Sequence, residues 1–169
     1  MKHVSILVPN EAVLASIVDP LTLFTGVNEF LEAAEQPALF KVQLVGLSKQ
    51  VKLKNGLFTI NADVLLQNLR KTDLIIIPAL SGDTKTSLKL NKKFIPWIIQ
   101  QYKKGAEIAS MCVGAFLLAS TGLLDGKECS SHWKFANEFR EMFPRVTLVD
   151  GQIITEQDGL YSSAGPTSF

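Results

Sequence analysis

Between Asp73 and Pro78 the chain carries four apolar residues without a break, Leu74-Ile75-Ile76-Ile77. The run is too short for a helix and has no polar position to turn toward water. It therefore reads as a strand covered on both faces, the habit of parallel sheets flanked by helices. Residues 3–8 repeat the pattern, and residues 40–47 read as another strand.

Helical signals fall between these strands. Asp19-Pro20 reads as an N-cap followed by proline at the first helical position. Leu21, Phe24, Val27, Phe30 and Leu31 then continue with helical spacing. Residues 51–60, split by Asn55-Gly56, read as a hairpin, and 62–69 as a short helix. A polar loop over 81–87 leads to a helix over 94–102, which Gly105 ends, and 106–109 is the next strand. An amphipathic helix over 133–143 stops at Pro144. Strands over 146–149, 153–154 and 160–161 follow, around Asp150-Gly151 and Asp158-Gly159 turns. This alternation predicts an α/β fold: a flavodoxin-like, doubly wound, mostly parallel sheet with helices on both faces, one domain over residues 1–169.

Composition removes several functions. With 17 basic and 16 acidic residues the formal charge is +1, which offers no field for gathering DNA or an anionic membrane onto this stretch. No apolar run approaches the ~18 residues of a membrane helix, and the first residues lack the layout of a signal peptide. Cys112 and Cys129 form neither a disulfide framework nor a zinc pattern, so no metal or other cofactor is expected. The reading is two reduced cysteines in a cytoplasmic protein.

The chemistry gathers at residues 106–126. An apolar run breaks at Ser110-Met111-Cys112 and restarts with helical spacing at Phe116, Leu117 and Leu118, which reads as strand, sharp turn, helix. A cysteine at such a turn faces backbone N–H groups and a helix N-terminus, both favouring the thiolate. The alternative is an inert packing residue. Gly114 lets a helix or a ligand approach closely. His132 in Cys129-Ser-Ser-His-Trp133 is either the base that orients the thiol or part of a capping turn led by Ser130 or Ser131. His3 reads as structural. Glu11 and Asp19 are candidate carboxylates, but Glu11 reads better as a solvated loop charge and Asp19 as a helix cap. Lys89, Lys92, Lys93, Lys103 and Lys104 read as a solvated helix face.

The order Ala109-Ser-Met-Cys112-Val-Gly-Ala-Phe-Leu-Leu-Ala119, Gly122-Leu-Leu-Asp-Gly126 and Ser130-Ser-His132-Trp133 resembles the ThiJ/PfpI superfamily, whose sheet is related to class I glutamine amidotransferases. Within it the likeness is greatest to the amidotransferase-like domain at the N-terminus of many AraC-type transcription regulators. The resemblance runs over essentially the whole chain. It implies an elbow cysteine at Cys112 and a companion histidine at His132. It also implies departures. Ser16, four residues before Pro20, stands where enzymatic relatives carry an acid, and Pro78-Ala79-Leu80 stands where many have Pro-Gly-Gly. Serine is no base near neutral pH, and Leu80 makes the pocket narrower and more apolar.

The resemblance accordingly implies a ligand-sensing regulatory domain. Its pocket would be lined by Ala79, Leu80, Cys112, Val113, Gly114 and His132, and would hold a small-molecule effector. DNA would be bound through a separate C-terminal helix-turn-helix domain, in a homodimer, and not through this domain. The alternatives are a stand-alone cysteine enzyme using Cys112 and His132, of the isonitrile hydratase, glyoxalase or amidase kind, and a redox sensor at Cys112. Ser162-Ser-Ala-Gly165 resembles the segment before the last helix of such domains, so the sequence reads as a piece cut before that helix.

Overall fold

A computed structural model describes residues 1–165 of the chain. In chain order these form β1 (Lys2–Val8), α1 (Ala15–Ala33), β2 (Phe40–Gly46), β3 (Gln50–Leu53), β4 (Phe58–Asn61), β5 (Val64–Leu65) and β6 (Leu74–Ile77). There follow α2 (Thr84–Asn91), α3 (Phe94–Lys103), β7 (Glu107–Met111), α4 (Ala115–Ala119) and β8 (Glu128–Cys129). The series ends with α5 (Ala136–Met142), β9 (Thr147–Leu148), β10 (Ile154–Gln157) and β11 (Leu160–Ser163).

Seven strands make one sheet in the order β10-β11-β7-β6-β1-β2-β5. Every pairing in it is parallel except β10 with β11, which turn back through Asp158 and Gly159. Both turn residues have positive φ, as a tight two-residue hairpin requires. The expected doubly wound, mostly parallel sheet is what forms. Its alternation is visible residue by residue. Leu7, Ile75, Ile77 and Ile108 face one core with Phe94, Trp97, Phe116 and Phe139, whereas Ile6 and Ile76 face the other with Ile17, Val51 and Leu53. So α3, α4 and α5 cover one face, and α1 with the β3–β4 hairpin covers the other. Four unbroken apolar residues at β6 are thereby explained: each side chain of the alternating pair of faces meets a core.

Several expected elements differ. The first helix begins at Ala15, not at Asp19, because a tight turn precedes it: Ser16 N–H donates to Val13 O (3.1 Å) and Ile17 N–H to Leu14 O (3.0 Å). Pro20 is therefore inside the helix, with no N–H to offer the Ser16 carbonyl. Val27 and Phe30, expected on the buried face, are exposed with Leu23, while Leu21 and Phe24 pack inward. The helix expected over 62–69 is instead β5 and a single 3-10 turn, since Val64 and Leu65 extend the sheet beside β2. Most of the supposed polar loop 81–87 belongs to α2, whose N-terminus is capped by Asp83 accepting from Thr86 N–H at 2.8 Å. The final residues, 166–169, where the start of a further helix was expected, lie outside the described residues. No helix among the described residues is long and apolar enough to cross a membrane.

Candidate functional site

Chain connections leave β1 toward β2 on one side and leave β6 toward β7 on the other, so the crevice between the carboxyl ends of β1 and β6 is the switch point of the sheet. Open α/β sheets bind ligands there. Here the two loops bordering the crevice are laced together. Val13 N–H donates to Ala79 O (2.8 Å), Ser81 N–H to Glu11 O (2.7 Å), and Ala12 bridges Leu80. Asn91, fully buried on α2, adds a reciprocal pair with the Asn10 peptide, accepting from its N–H at 2.9 Å and donating to its carbonyl at 2.8 Å. Glu11 itself is held at φ 63°, with its carbonyl spent on Ser81 and its side chain exposed. Asp19 is exposed on α1 and caps nothing.

Beside the crevice, β7 ends at Met111 and the chain turns through a 3-10 segment, Cys112–Gly114, into α4. Cys112 has φ 54°, a left-handed value that a side chain adopts only when its surroundings impose it. The imposing contact is visible at Gly114, where an added Cβ would lie 2.5 Å from Pro78 O and 2.9 Å from Ile77 O. Strand β6 and the elbow thus touch backbone to backbone, which only glycine allows. Underneath, Phe116 meets Phe139 and Phe143 edge-on at 5.0 and 5.9 Å, pinning α4 to α5.

The thiol is buried, and burial pushes its titration up; the Val113 N–H, which favours the ionised sulfur, opposes this more weakly. The thiolate expected at the turn is therefore not favoured, because the helix behind it has only five residues and the surroundings are apolar. Cys129 is pushed further, to about 11, by deeper burial against the same core. Ala79, Leu80, Cys112 and Val113 are all buried members of the apolar core on this face of the sheet.

Ser16 is fully buried, and both of its hydrogen-bonding roles are taken. Its hydroxyl donates to Val13 O at 2.7 Å and accepts from the Ala79 N–H at 3.0 Å. Ser16 thus ties the first turn of α1 to the loop after β6. His132 is half-buried and caps the 3-10 turn Trp133–Phe135: its Nδ1 accepts from the Lys134 N–H at 3.2 Å while its ring stacks on Trp133. The capping role expected of Ser130 or Ser131 belongs to His132 instead. Ser131, given no other part by the sequence, donates its hydroxyl to Cys112 O at 3.2 Å. Nothing in the pattern Ser130-Ser131-His132 distinguishes that serine from its neighbour; only the fold does.

A cavity of about 530 Å³ lies at the far end of α4 between Thr121, Asp125, Met142, Phe143 and Arg145. None of Ala79, Leu80, Cys112, Val113, Gly114 or His132 lines it. Among the described residues no group of three His, Cys, Asp or Glu side chains could hold a metal ion.

The sequence pattern of the DJ-1/PfpI family matches residues 2–169. The HTH-type transcriptional regulator GbdR of Pseudomonas aeruginosa is 29% identical over 152 residues, which is 90% of this chain and 39% of that protein. CdhR, an HTH-type transcriptional regulator of the same organism, is 27% identical over 118 residues, 66% of this chain and 34% of its own length. The chain therefore spans between a third and two fifths of these curated relatives. Among solved structures, a candidate transcriptional regulator from Vibrio parahaemolyticus superposes with a TM-score of 0.83 at 27% identity, covering 98% of this chain and 86% of that one. An AraC family transcriptional regulator from Pseudomonas putida superposes at 0.74 with 19% identity, covering 98% and 85%; at that identity the likeness is one of fold.

Proposed function

The chain belongs to the DJ-1/PfpI family, and from that premise we propose that it is the ligand-sensing regulatory domain of an AraC-type transcription regulator. A small-molecule effector would sit at the Cys112 elbow, against Ala79, Leu80, Val113, Gly114 and His132. DNA would be contacted by a separate helix-turn-helix domain, and the protein would act in the cytoplasm as a homodimer matched to two half-sites. The relatives named as HTH-type regulators support the regulatory reading. The observation that carries the choice of binding over turnover is Ser16: its hydroxyl is spent on Val13 and Ala79 in holding two loops together, and burial pushes the Cys112 thiol toward its protonated form. The apolar wall of Leu80 and Val113 suits a partly apolar effector. The Val113 N–H is the donor that a carbonyl or carboxylate on it would meet.

Melting of the full chain against small carbonyl and carboxylate metabolites tests this. An effector at a hundred times its Kd stabilises by about 2.7 kcal/mol, and at the elbow it must also shield Cys112 from iodoacetamide. Stabilisation without shielding would place the effector elsewhere. One observation favours the cysteine-enzyme reading: the left-handed Cys112 has the strained backbone of a nucleophile elbow. Turnover of an isonitrile, ketoaldehyde or amide that disappears in Cys112→Ala would establish that reading in place of ours.

A further inference from the structure

We propose that Ser131, and not His132, is the residue of the segment after β8 that sets the geometry of the elbow, by fixing the peptide unit between Cys112 and Val113. The carbonyl and the N–H of that unit belong to one rigid plane. At one end the Cys112 carbonyl accepts from the Ser131 hydroxyl at 3.2 Å and also from the Ala115 N–H. At the other end is the Val113 N–H, a backbone donor that favours the ionised Cys112 sulfur. Holding the carbonyl therefore aims the N–H, and aiming the N–H decides how the sulfur is solvated. Because Cys112 sits at φ 54°, the plane has an unstrained orientation to fall back to once it is released.

Ser131 is mounted to do this. It is buried, and its neighbour Ser130 is fastened twice, by its N–H to Ser162 Oγ at 2.8 Å and by its hydroxyl to Gln152 O at 3.0 Å. The serine pair thus links the elbow to β11 and to the loop before β10. His132 points its bonding elsewhere: its Nδ1 accepts from the Lys134 N–H two residues on. Ser131 is a positioning residue on this reading. It acts on the effector through the Val113 N–H, so the inference rests on the elbow being the working site. Its readout is thiol chemistry, however, and either idea can fail without the other.

The test is the rate at which iodoacetamide alkylates Cys112 in the full chain, followed by mass mapping so that Cys129 is scored separately, across a pH series. Ser131→Ala removes one of the two hydrogen bonds on that carbonyl, so alkylation slows by about five-fold, the factor of one ordinary hydrogen bond, and the midpoint of its pH profile moves up. Ser131→Thr keeps the hydroxyl and matches the wild-type rate and midpoint, and His132→Ala changes the rate by less than Ser131→Ala does. Should the alanine variant not fold, Ser131→Val against Ser131→Thr makes the same comparison at constant shape. A wild-type rate and midpoint in Ser131→Ala or Ser131→Val, or a loss in His132→Ala as large as the serine's, would overturn the assignment.

Discussion

Replacing Gly114 by alanine sets two effects of opposite sign against each other, and the structure says which wins. Gly114 has helical angles, φ −58° and ψ −22°, so its backbone would accept a side chain. Helix propensity alone would then favour alanine by about 1 kcal/mol. The space forbids it. The new Cβ would stand 2.5 Å from Pro78 O, some 0.9 Å inside the 3.4 Å at which ordinary contact begins, with Ile77 O at 2.9 Å as a second obstacle. Both obstacles are main-chain carbonyls at the end of a buried strand, and neither can rotate aside. Overpacking of this kind costs about 1–3 kcal/mol, and immovable partners put it at the upper end. The net loss is about 2 kcal/mol, which in a domain of this size lowers Tm by about 4–8 °C. Gly26 provides the control, because it lies in α1 with nothing within 4 Å of its would-be Cβ. Gly26→Ala should stabilise by about 0.5–1 kcal/mol. Calorimetric melting of both variants reads the pair. If Gly114→Ala melts at or above the wild type, the backbone contact between β6 and the elbow is not what holds Cys112 in its strained conformation.

Three other outcomes follow from the same contacts. Ser16→Ala leaves the buried Ala79 N–H without its acceptor and should cost about 1–3 kcal/mol in urea unfolding; an unchanged midpoint would mean that the loop after β6 finds another partner. Phe139→Ala empties the centre of the aromatic cluster beneath α4 and should cost about 3–5 kcal/mol, against which a loss under one would show the cavity closing. The folded chain holds the Cys129 proton up to about 11, whereas the unfolded chain releases it near 9.0, so its contribution is complete below pH 9 and declines as pH rises through that interval. The decline is about 1.4 kcal/mol per pH unit at its steepest, and Cys129→Ala should flatten it in urea melts at pH 9 to 11.

What the sequence made legible were elements whose signal is local and apolar. Leu74-Ile75-Ile76-Ile77 can only be a covered strand, and Asn55-Gly56 can hardly avoid a turn; both formed as read. The break at Cys112 was legible too, because an apolar strand pattern gives way there to a helical one. Helix α2 was not. Its buried face is Thr84, Ser87 and Asn91, polar residues at helical spacing, each satisfied by a distant partner: Glu138, the Ser81 carbonyl and the Asn10 peptide. Apolar periodicity cannot reveal a helix that buries hydrogen bonds. The start of α1 was misplaced for a related reason. Asp19-Pro20 is a persuasive local cap, but Val13 pairs with Ala79 across the crevice and brings the turn forward by four residues. Ser131 lay beyond reach altogether, since its partner is a main-chain carbonyl nineteen positions away.

These same distant bonds bear on what the elbow can do. A cysteine enzyme needs three things free at once: a thiol that ionises readily, a base with an available lone pair, and donors aimed at a developing charge. In this chain burial holds back the first, and Lys134 occupies the Nδ1 of His132. The Ala79 N–H, a donor at the edge of the crevice, is taken by Ser16. What remains is the Val113 N–H and shape: a left-handed cysteine and a glycine pressed against the end of β6. Under the proposed function that remainder is enough, because a sensor needs its effector to favour one arrangement of the loops over another and needs no bond to break. The lacing between the β1 and β6 loops then becomes the element whose equilibrium an effector would bias. Ser16 is its most telling member, since a single buried hydroxyl joins the first turn of α1 to the Ala79 N–H and so closes the lace.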